Sequence, residues 1–509
     1  MNKTLLPIFG LLFFWGAFVF LSSAAREEQY FPPEDPLVRE KLEEWQDLKF
    51  GLLMHWGPYS QWGIVESWSI CSEDEDWCRR KSGDYEEYKR TYEKLKVTFN
   101  PEKFAPEKWA AAAKKAGMRY VVFTTKHHDG FCMFDTEWTD YKITDTACPF
   151  SSNPKADVTR EIFKAFRNEG FWVGAYFSKP DWHCEDYWWP NFATPDRNVN
   201  YDIKKYPERW KRFVDFTHGQ VEELVSNYGP VDILWLDGGW VRPKTQEEIR
   251  AAVCSPDYKF IRIRSQDIDM PCLARMARSK QPGIIIVDRA VPGPYQDYLT
   301  PENRVPEKAL PYPWESCIIS GGGWSWVPDA SYKTAEEIVH MLVDIVSKGG
   351  NLLLNIAPGP DGAWDEAAYD RLEKIGCWME VNGEAIYETR PLSPFYEGKI
   401  RLTRKKKGAV YAVYLAGPQE SFPPSRIHLD SLRPDEGARV TLLGAEGELE
   451  WKEGGSGTVV GIPEKIRKNP PCLFAWTIKI SNIKEKGARN AGKNADLGLN
   501  AGAGGRIMR

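Results

Sequence analysis

Val231-Asp-Ile-Leu-Trp-Leu236 runs straight into Asp237-Gly238-Gly239-Trp240, an apolar stretch that ends on an acid and two glycines. A strand with one face in water alternates apolar and polar residues. This run does not, so both its faces are expected to be buried. Similar runs recur at Phe50 to His55, Tyr120 to Thr125, Phe171 to Phe177, Ile284 to Val287 and Leu352 to Asn355. Helix-like segments lie between them, among them Pro106 to Gly117 and Tyr206 to Tyr228, with Gly near their ends as stop signals. Doubly buried strands alternating with helices make a parallel sheet. Over this length its closed form is a (β/α)8-like, TIM-type barrel, expected over residues 30–381. A doubly wound open sheet competes, but no Gly-x-Gly-x-x-Gly turn follows the first strand.

After about Asn382 the texture changes. Ile400 to Thr403, Ala409 to Tyr414, Arg439 to Leu443 and Phe474 to Ile480 are short or alternating runs with turn residues between them. They predict a C-terminal antiparallel β-sandwich over 382–482. Residues 483–509 offer almost nothing to bury. From Ser481 onward six Lys/Arg stand against two Asp/Glu, which reads as a disordered basic tail. At the other end Lys3, an apolar run from Leu5 to Leu21, and Ser22-Ser-Ala-Ala25 have the order of a secretory signal peptide over 1–25. Export would take the chain to the periplasm or the cell exterior in a bacterium, or to the lysosome or secretion in a eukaryote. Such compartments permit disulfides, and Cys71 with Cys78 is the close pair. No other stretch is apolar enough to span a membrane.

Of the 509 residues, 67 are Lys or Arg and 72 are Asp or Glu, giving a net charge of −5. That balance supplies no basic surface for nucleic acid. The 22 Trp, 22 Tyr and 24 Phe are the unusual feature.

In a parallel barrel the carboxyl ends of the strands face the active site. Those positions here carry His55-Trp56, His127-His128-Asp129, Tyr176 to Trp182, Asp237, Arg289 and Asn355. A lone histidine beside a strand is usually structural. Several polar groups at successive strand ends need partners and imply a cleft. Asp237 is the sharpest of them. It either caps the next helix or, with a second carboxylate about 5–5.5 Å away, serves as the nucleophile of a retaining glycosidase. The paired glycines after it favour the second reading by letting a ligand approach the backbone. Glu66, Asp297, Glu302 and Glu315 are the candidates for the second carboxylate. Trp56, Trp68, Trp182, Trp235, Trp324 and Trp326 lie near the motif residues, and indole faces suit the apolar C–H faces of sugars.

Four segments carry a resemblance to a known family. They are Lys49 to Gly57, Tyr120 to Phe131, Leu234 to Gly239 and Lys348 to Asn355. In that order they resemble the α-L-fucosidases of glycoside hydrolase family 29, over roughly residues 35 to 480. The resemblance implies a barrel followed by a β-sandwich, and a retaining exo-fucosidase that acts on fucosylated glycans with no cofactor and no metal. It implies Asp237 as nucleophile. For the sugar it implies His55, His127, His128 and Arg289, with Glu66 and Trp68 beside them and Trp326 as aromatic wall; Tyr176 and Trp235, read from their places at the strand ends, join the expected contacts. The family often has Glu and Trp adjacent, whereas here Ser67 separates Glu66 from Trp68. The acid/base is marked least sharply: Glu302 is preferred, with Glu315 as the alternative.

Two other functions remain to be distinguished. A metal-dependent hydrolase would gather His127, His128 and His183 with Asp237, although adjacent strand residues point to opposite faces unless the strand has ended. A non-catalytic sugar-binding protein would keep the aromatics and lose an acid.

Overall fold

The computed structural model describes residues 30–71, 84–190, 196–254, 263–455 and 457–484. The expected leader, Cys78 and the tail beyond Lys484 lie outside them. Seven strands form one parallel sheet: β1 (Phe50–Met54), β2 (Tyr120–Lys126), β3 (Trp172–Ser178), β4 (Ile233–Asp237), β5 (Ile285–Asp288), β6 (Glu315–Ile319) and β7 (Asn351–Asn355). Their order is β5-β4-β3-β2-β1-β7-β6.

An irregular segment closes the gap between β5 and β6. After β5 the chain doubles back, with the Asp297 N–H donating to the Ile286 carbonyl, and then climbs beside β6. There Leu299 pairs with Trp314 and Glu302 with Cys317, both in parallel sense. The result is the expected TIM-type barrel with seven regular strands and one irregular stave.

The reason the runs look uniformly apolar is now visible. Along each strand, alternate residues face inward and outward. Leu53, Tyr120, Val122, Tyr176, Ile233, Trp235, Ile285, Val287, Cys317 and Leu353 fill the barrel interior. Their neighbours Leu52, Met54, Val121, Phe123, Ala175, Phe177, Leu234, Leu236, Ile286, Leu352 and Leu354 pack outward beneath the helices. Both faces are dry, so both demand hydrophobes. Among the described residues no helix is long and apolar enough to cross a membrane.

The helix Glu366–Asn382 precedes eight further strands: β8 (Thr389–Glu397), β9 (Ile400–Lys405), β10 (Val410–Leu415), β11 (Arg426–Leu429), β12 (Val440–Leu442), β13 (Trp451–Gly454), β14 (Gly457–Gly461) and β15 (Ala475–Ile480). They form a five-stranded sheet, β12-β15-β10-β9-β8, and a three-stranded one, β11-β14-β13, with every pairing antiparallel. Val410 and Ala412 of β10 face the three-stranded sheet in a shared core, giving the sandwich. Tyr411, Val413 and Leu415 face the other way into the barrel's helical layer. Trp378 and His340 of the barrel helices bond the carbonyls of Ala475 and Phe474, fixing that contact.

At the opposite end of the barrel from the strand-end residues, Lys49 is wholly buried, and among the described residues its Nζ has no hydrogen-bond partner. Burial, assisted by the Arg390 charge, pushes its ammonium down to about 7. The folded state therefore resists a proton that the unfolded chain binds readily. Between that value and the unfolded value near 10.5, stability rises with pH, and below about 7 the full penalty is present. Lys49→Met is expected to stabilise the protein at pH 6 by on the order of 2 kcal/mol. The gain should shrink as the pH rises above 9. Denaturant melts at both pH values check this, and an equal gain at both would exclude the buried charge as its cause.

Candidate active site

The upper inward-facing residues of the barrel form the floor of a cavity of about 180 Å³, room for one sugar ring rather than a chain. Leu53, Tyr176, Trp235 and Cys317 supply the floor. His55, Glu66, Trp68, His127, His128, Arg197, Asp237, Trp240, Arg289, Glu302 and Trp324 complete the lining.

Asp237 closes β4 at the cavity base. Its Oδ1 accepts from the Gly238 N–H at 2.7 Å and from Arg289 at 3.0 Å, and its Oδ2 accepts from the Tyr176 hydroxyl at 2.6 Å. Burial alone would raise its pKa. The Arg289 charge and these donors outweigh that and hold the carboxyl well below the usual carboxylate range. It is an ionised carboxylate held in one orientation at any working pH.

The two glycines after Asp237 have a different role from the expected one. Gly238 sits at φ +90°, and a Cβ there would meet Pro180 at 2.3 Å; a Cβ on Gly239 would lie 2.9 Å from the Arg289 carbonyl. They let neighbouring loops of the protein close over the strand end, and it is this packing, not ligand approach, that requires them.

Of the four candidate second carboxylates, Glu302 and Glu66 reach the cavity. Glu302 ends the irregular stave, and its side chain is 42% exposed. It accepts from the Trp324 indole at 3.1 Å and from the second nitrogen of the same Arg289 guanidinium that holds Asp237. Glu315 instead starts β6 at the closed end of the barrel. It is fully buried, accepts from Tyr120 at 2.6 Å and Tyr298 at 3.3 Å, and burial pushes its carboxyl up to about 7. Asp297 is likewise buried elsewhere, accepting from Arg278 and the Ile286 N–H. Glu66 lines the cavity in a left-handed conformation (φ +33°) that the Ser325 clamp maintains, with the Ser325 N–H on Oε1 at 2.7 Å. Burial, reinforced by Glu302 and Asp237, pushes Glu66 up to about 8, so it is a neutral hydrogen-bond donor at pH 7.

The three histidines are neutral. Burial holds His55 down to about 4 and His128 to about 3, and takes His127 well below its ordinary value. β2 ends at Lys126 and the chain turns at Gly130, so the alternation rule no longer applies to His127 and His128. Both rings enter the cavity, their centroids 4.2 Å apart. His128 Nε2 lies 3.8 Å from Asp237. His183 does not join them: it bonds Glu93 at 2.8 Å and stacks on Tyr141 at 4.1 Å. Among the described residues no group of three His, Cys, Asp or Glu is placed to hold a metal ion.

The aromatic wall differs from the expected one. Trp324 lines the cavity, its ring 5.2 Å from that of His55, whereas Trp326 is not in the lining and donates to Asp365 at 3.0 Å. The turn through Ser325 sends the two indoles apart, because Ser325 is tied to Glu66 and to the Ile64 carbonyl. Trp56 is core, packed on Trp109 and bonded to the Gly359 carbonyl. Trp182 backs Trp68 and His128 from behind.

Arg197 and Trp240 complete the rim, and the sequence reading did not propose either as a contact. The Arg197 guanidinium lies 4.8 Å from the Trp68 ring and 5.2 Å from that of Trp240, and its carbonyl accepts from the Tyr187 hydroxyl and the Trp240 indole. Arg197 belongs to an irregular segment, where no periodicity marks a residue. Trp240 was visible beside the glycines.

The chain matches the family model described as alpha-L-fucosidase over residues 17–384, and that of the alpha-L-fucosidase C-terminal domain over 394–481. Human tissue alpha-L-fucosidase is 28% identical over 503 residues, covering 93% of this chain and 96% of the relative. Among solved structures, alpha-L-fucosidase isoenzyme 1 from Paenibacillus thiaminolyticus superposes with a TM-score of 0.69 at 30% identity, covering 88% of this chain and 100% of that one. A family 29 enzyme of Bacteroides thetaiotaomicron, solved as a trapped covalent intermediate with 2-fluoro-fucosyl fluoride, gives 0.66 at 25% identity over 90% and 99% of the two chains.

Proposed function

The chain belongs to the α-L-fucosidase family of glycoside hydrolases, and on that premise we propose that it removes terminal α-L-fucose from oligosaccharides or glycoconjugates with retention of configuration. One observation carries the retaining mechanism. Asp237 and Glu302 accept from the two arms of a single guanidinium at the base and mouth of a cavity sized for one sugar. Sharing one guanidinium keeps the two carboxyls close together, as retaining enzymes require; their separation in such enzymes is about 5–5.5 Å, shorter than where a water must fit beside the sugar. The trapped covalent intermediate of the Bacteroides relative is consistent with the same course.

In the first step an Asp237 oxygen attacks the anomeric carbon and the bond to the leaving oxygen breaks, while Glu302 gives that oxygen its proton. In the second, Glu302 takes a proton from water, whose oxygen attacks the same carbon and releases Asp237. Arg289, Tyr176 and Gly238 keep Asp237 ionised and aimed. His55, His127, His128 and the protonated Glu66 meet the sugar hydroxyls. Trp68, Trp235 and Trp324 face its C–H surfaces, and Leu53 and Cys317 supply the apolar floor. Orientation of this kind lowers a barrier by several kcal/mol. Export through the N-terminal leader is part of the same proposal.

Hydrolysis of an aryl α-L-fucoside followed by NMR tests it. The α anomer of fucose is expected first, with mutarotation to the equilibrium mixture afterwards. Initial release of the β anomer would overturn retention, and no turnover on any fucoside would overturn the substrate.

A further inference from the structure

Ser67 is fully buried, and among the described residues the only hydrogen bond of its Oγ is to Nδ1 of His127. A hydroxyl with one partner and no access to water must donate to that partner, because the alternative leaves its proton orphaned in the interior. His127 Nδ1 is therefore bare. In a neutral imidazole the proton then sits on Nε2, which turns toward the cavity as a donor.

His55 is set the other way. The amide nitrogen of Asn355 donates to the Trp324 carbonyl at 2.7 Å and faces the Gly323 carbonyl at 3.5 Å, a role its oxygen cannot fill. That fixes Oδ1 opposite His55 Nδ1, at 3.0 Å. A carbonyl oxygen only accepts, so His55 Nδ1 carries the proton and its Nε2 is bare. Both rings line the cavity with centroids 5.8 Å apart, and among the described residues neither Nε2 has a protein partner.

We infer that Ser67 and Asn355 are positioning residues that lock His127 and His55 in opposite tautomers, so that the pocket wall offers one N–H donor beside one bare nitrogen acceptor. The pair reads a sugar hydroxyl that accepts from His127 and donates to His55 at the same time. It discriminates against deoxy, fluoro and O-methyl groups at that position, none of which can both accept and donate. If His127 lost its lock and flipped its proton to Nδ1, two acceptors would face one hydroxyl and one would go unpaired. The sugar identity rests on the fucoside reading above, but the tautomers do not.

The full-length protein labelled with 15N-histidine tests this. Long-range 1H–15N correlations report which ring nitrogen of each neutral imidazole is protonated, and His55→Gln and His127→Gln assign the signals. The expected pattern is Nε2–H for His127 and Nδ1–H for His55. The same tautomer on both rings, or the reverse pattern, would overturn the proposal whether or not fucosides are cleaved. Ser67→Ala should move His127 toward the Nδ1–H form and raise KM for an aryl α-L-fucoside by about 10-fold or more, with a smaller change in kcat. Ser67→Thr, which keeps the hydroxyl, should restore both. If Ser67→Ala merely loosened the fold, its melting temperature would fall while the His127 signal kept its wild-type pattern. That result would also count against the proposal.

Discussion

Replacing Asp237 with Ala is expected to lower kcat on an aryl α-L-fucoside by about 10,000-fold, close to 5 kcal/mol of transition-state stabilisation. The loss is large because nothing else in the cavity can take over. Glu66 is protonated at neutral pH, and the three histidines are buried neutral imidazoles, with one ring nitrogen of His55 and one of His127 tied to Asn355 and Ser67. The variant also removes the acceptor of Tyr176, the Gly238 N–H and one arm of Arg289. Asp237→Asn, which keeps the shape, is therefore the companion that separates chemistry from local collapse. Both should lose activity to a similar degree while melting near the wild type. Azide added to Asp237→Ala should restore turnover and yield the β-fucosyl azide, since the anion enters from the face the carboxylate vacated. An α azide, or a variant with more than a tenth of wild-type kcat, would remove Asp237 from the role of nucleophile.

The second large effect is expected at Glu302, by contrast with Glu315. Glu302→Gln should lose about 100- to 10,000-fold on a fucosyl oligosaccharide, whose leaving oxygen needs a proton. It should lose far less in kcat/KM on a substrate with an acidic phenol, which does not. Azide should rescue Glu302→Ala and give the α-fucosyl azide, by attack on the intermediate. Glu315→Gln should keep kcat within several-fold of wild type on both substrates. Its carboxyl touches Tyr120 and Tyr298 at the closed end of the barrel, so its replacement acts on stability, by about 1–3 kcal/mol. Leaving-group dependence that follows Glu315 instead would reverse the assignment.

The barrel was legible because a strand buried on both faces announces itself as an uninterrupted apolar run, with a polar residue where it emerges. Ile233 to Asp237 is such a strand, and His55, Asp237 and Asn355 stand at such ends. The sandwich was legible for the related reason that β10 must alternate between two cores, with Val410 and Ala412 on one side and Tyr411 and Val413 on the other. The irregular stave had no such signal. Leu299 to Glu302 reads as a loop, and only its pairing with Trp314 and Cys317 shows that it climbs the barrel wall.

By itself, then, the sequence determined the architecture and the strand-end placement of Asp237 and the histidine cluster, since these follow from where regular strands end. The tertiary structure alone brought Glu302 and Glu66, of four carboxylates, into the cavity, turned Trp324 rather than Trp326 into it, and brought Arg197 and Trp240 to its rim. It also tied Ser67 to His127 across 60 residues of sequence. In irregular segments a side chain's direction is set by contacts distant in the chain. Ser325 illustrates this: its bonds to Glu66 and Ile64, more than 250 residues away, determine which way the two flanking indoles face.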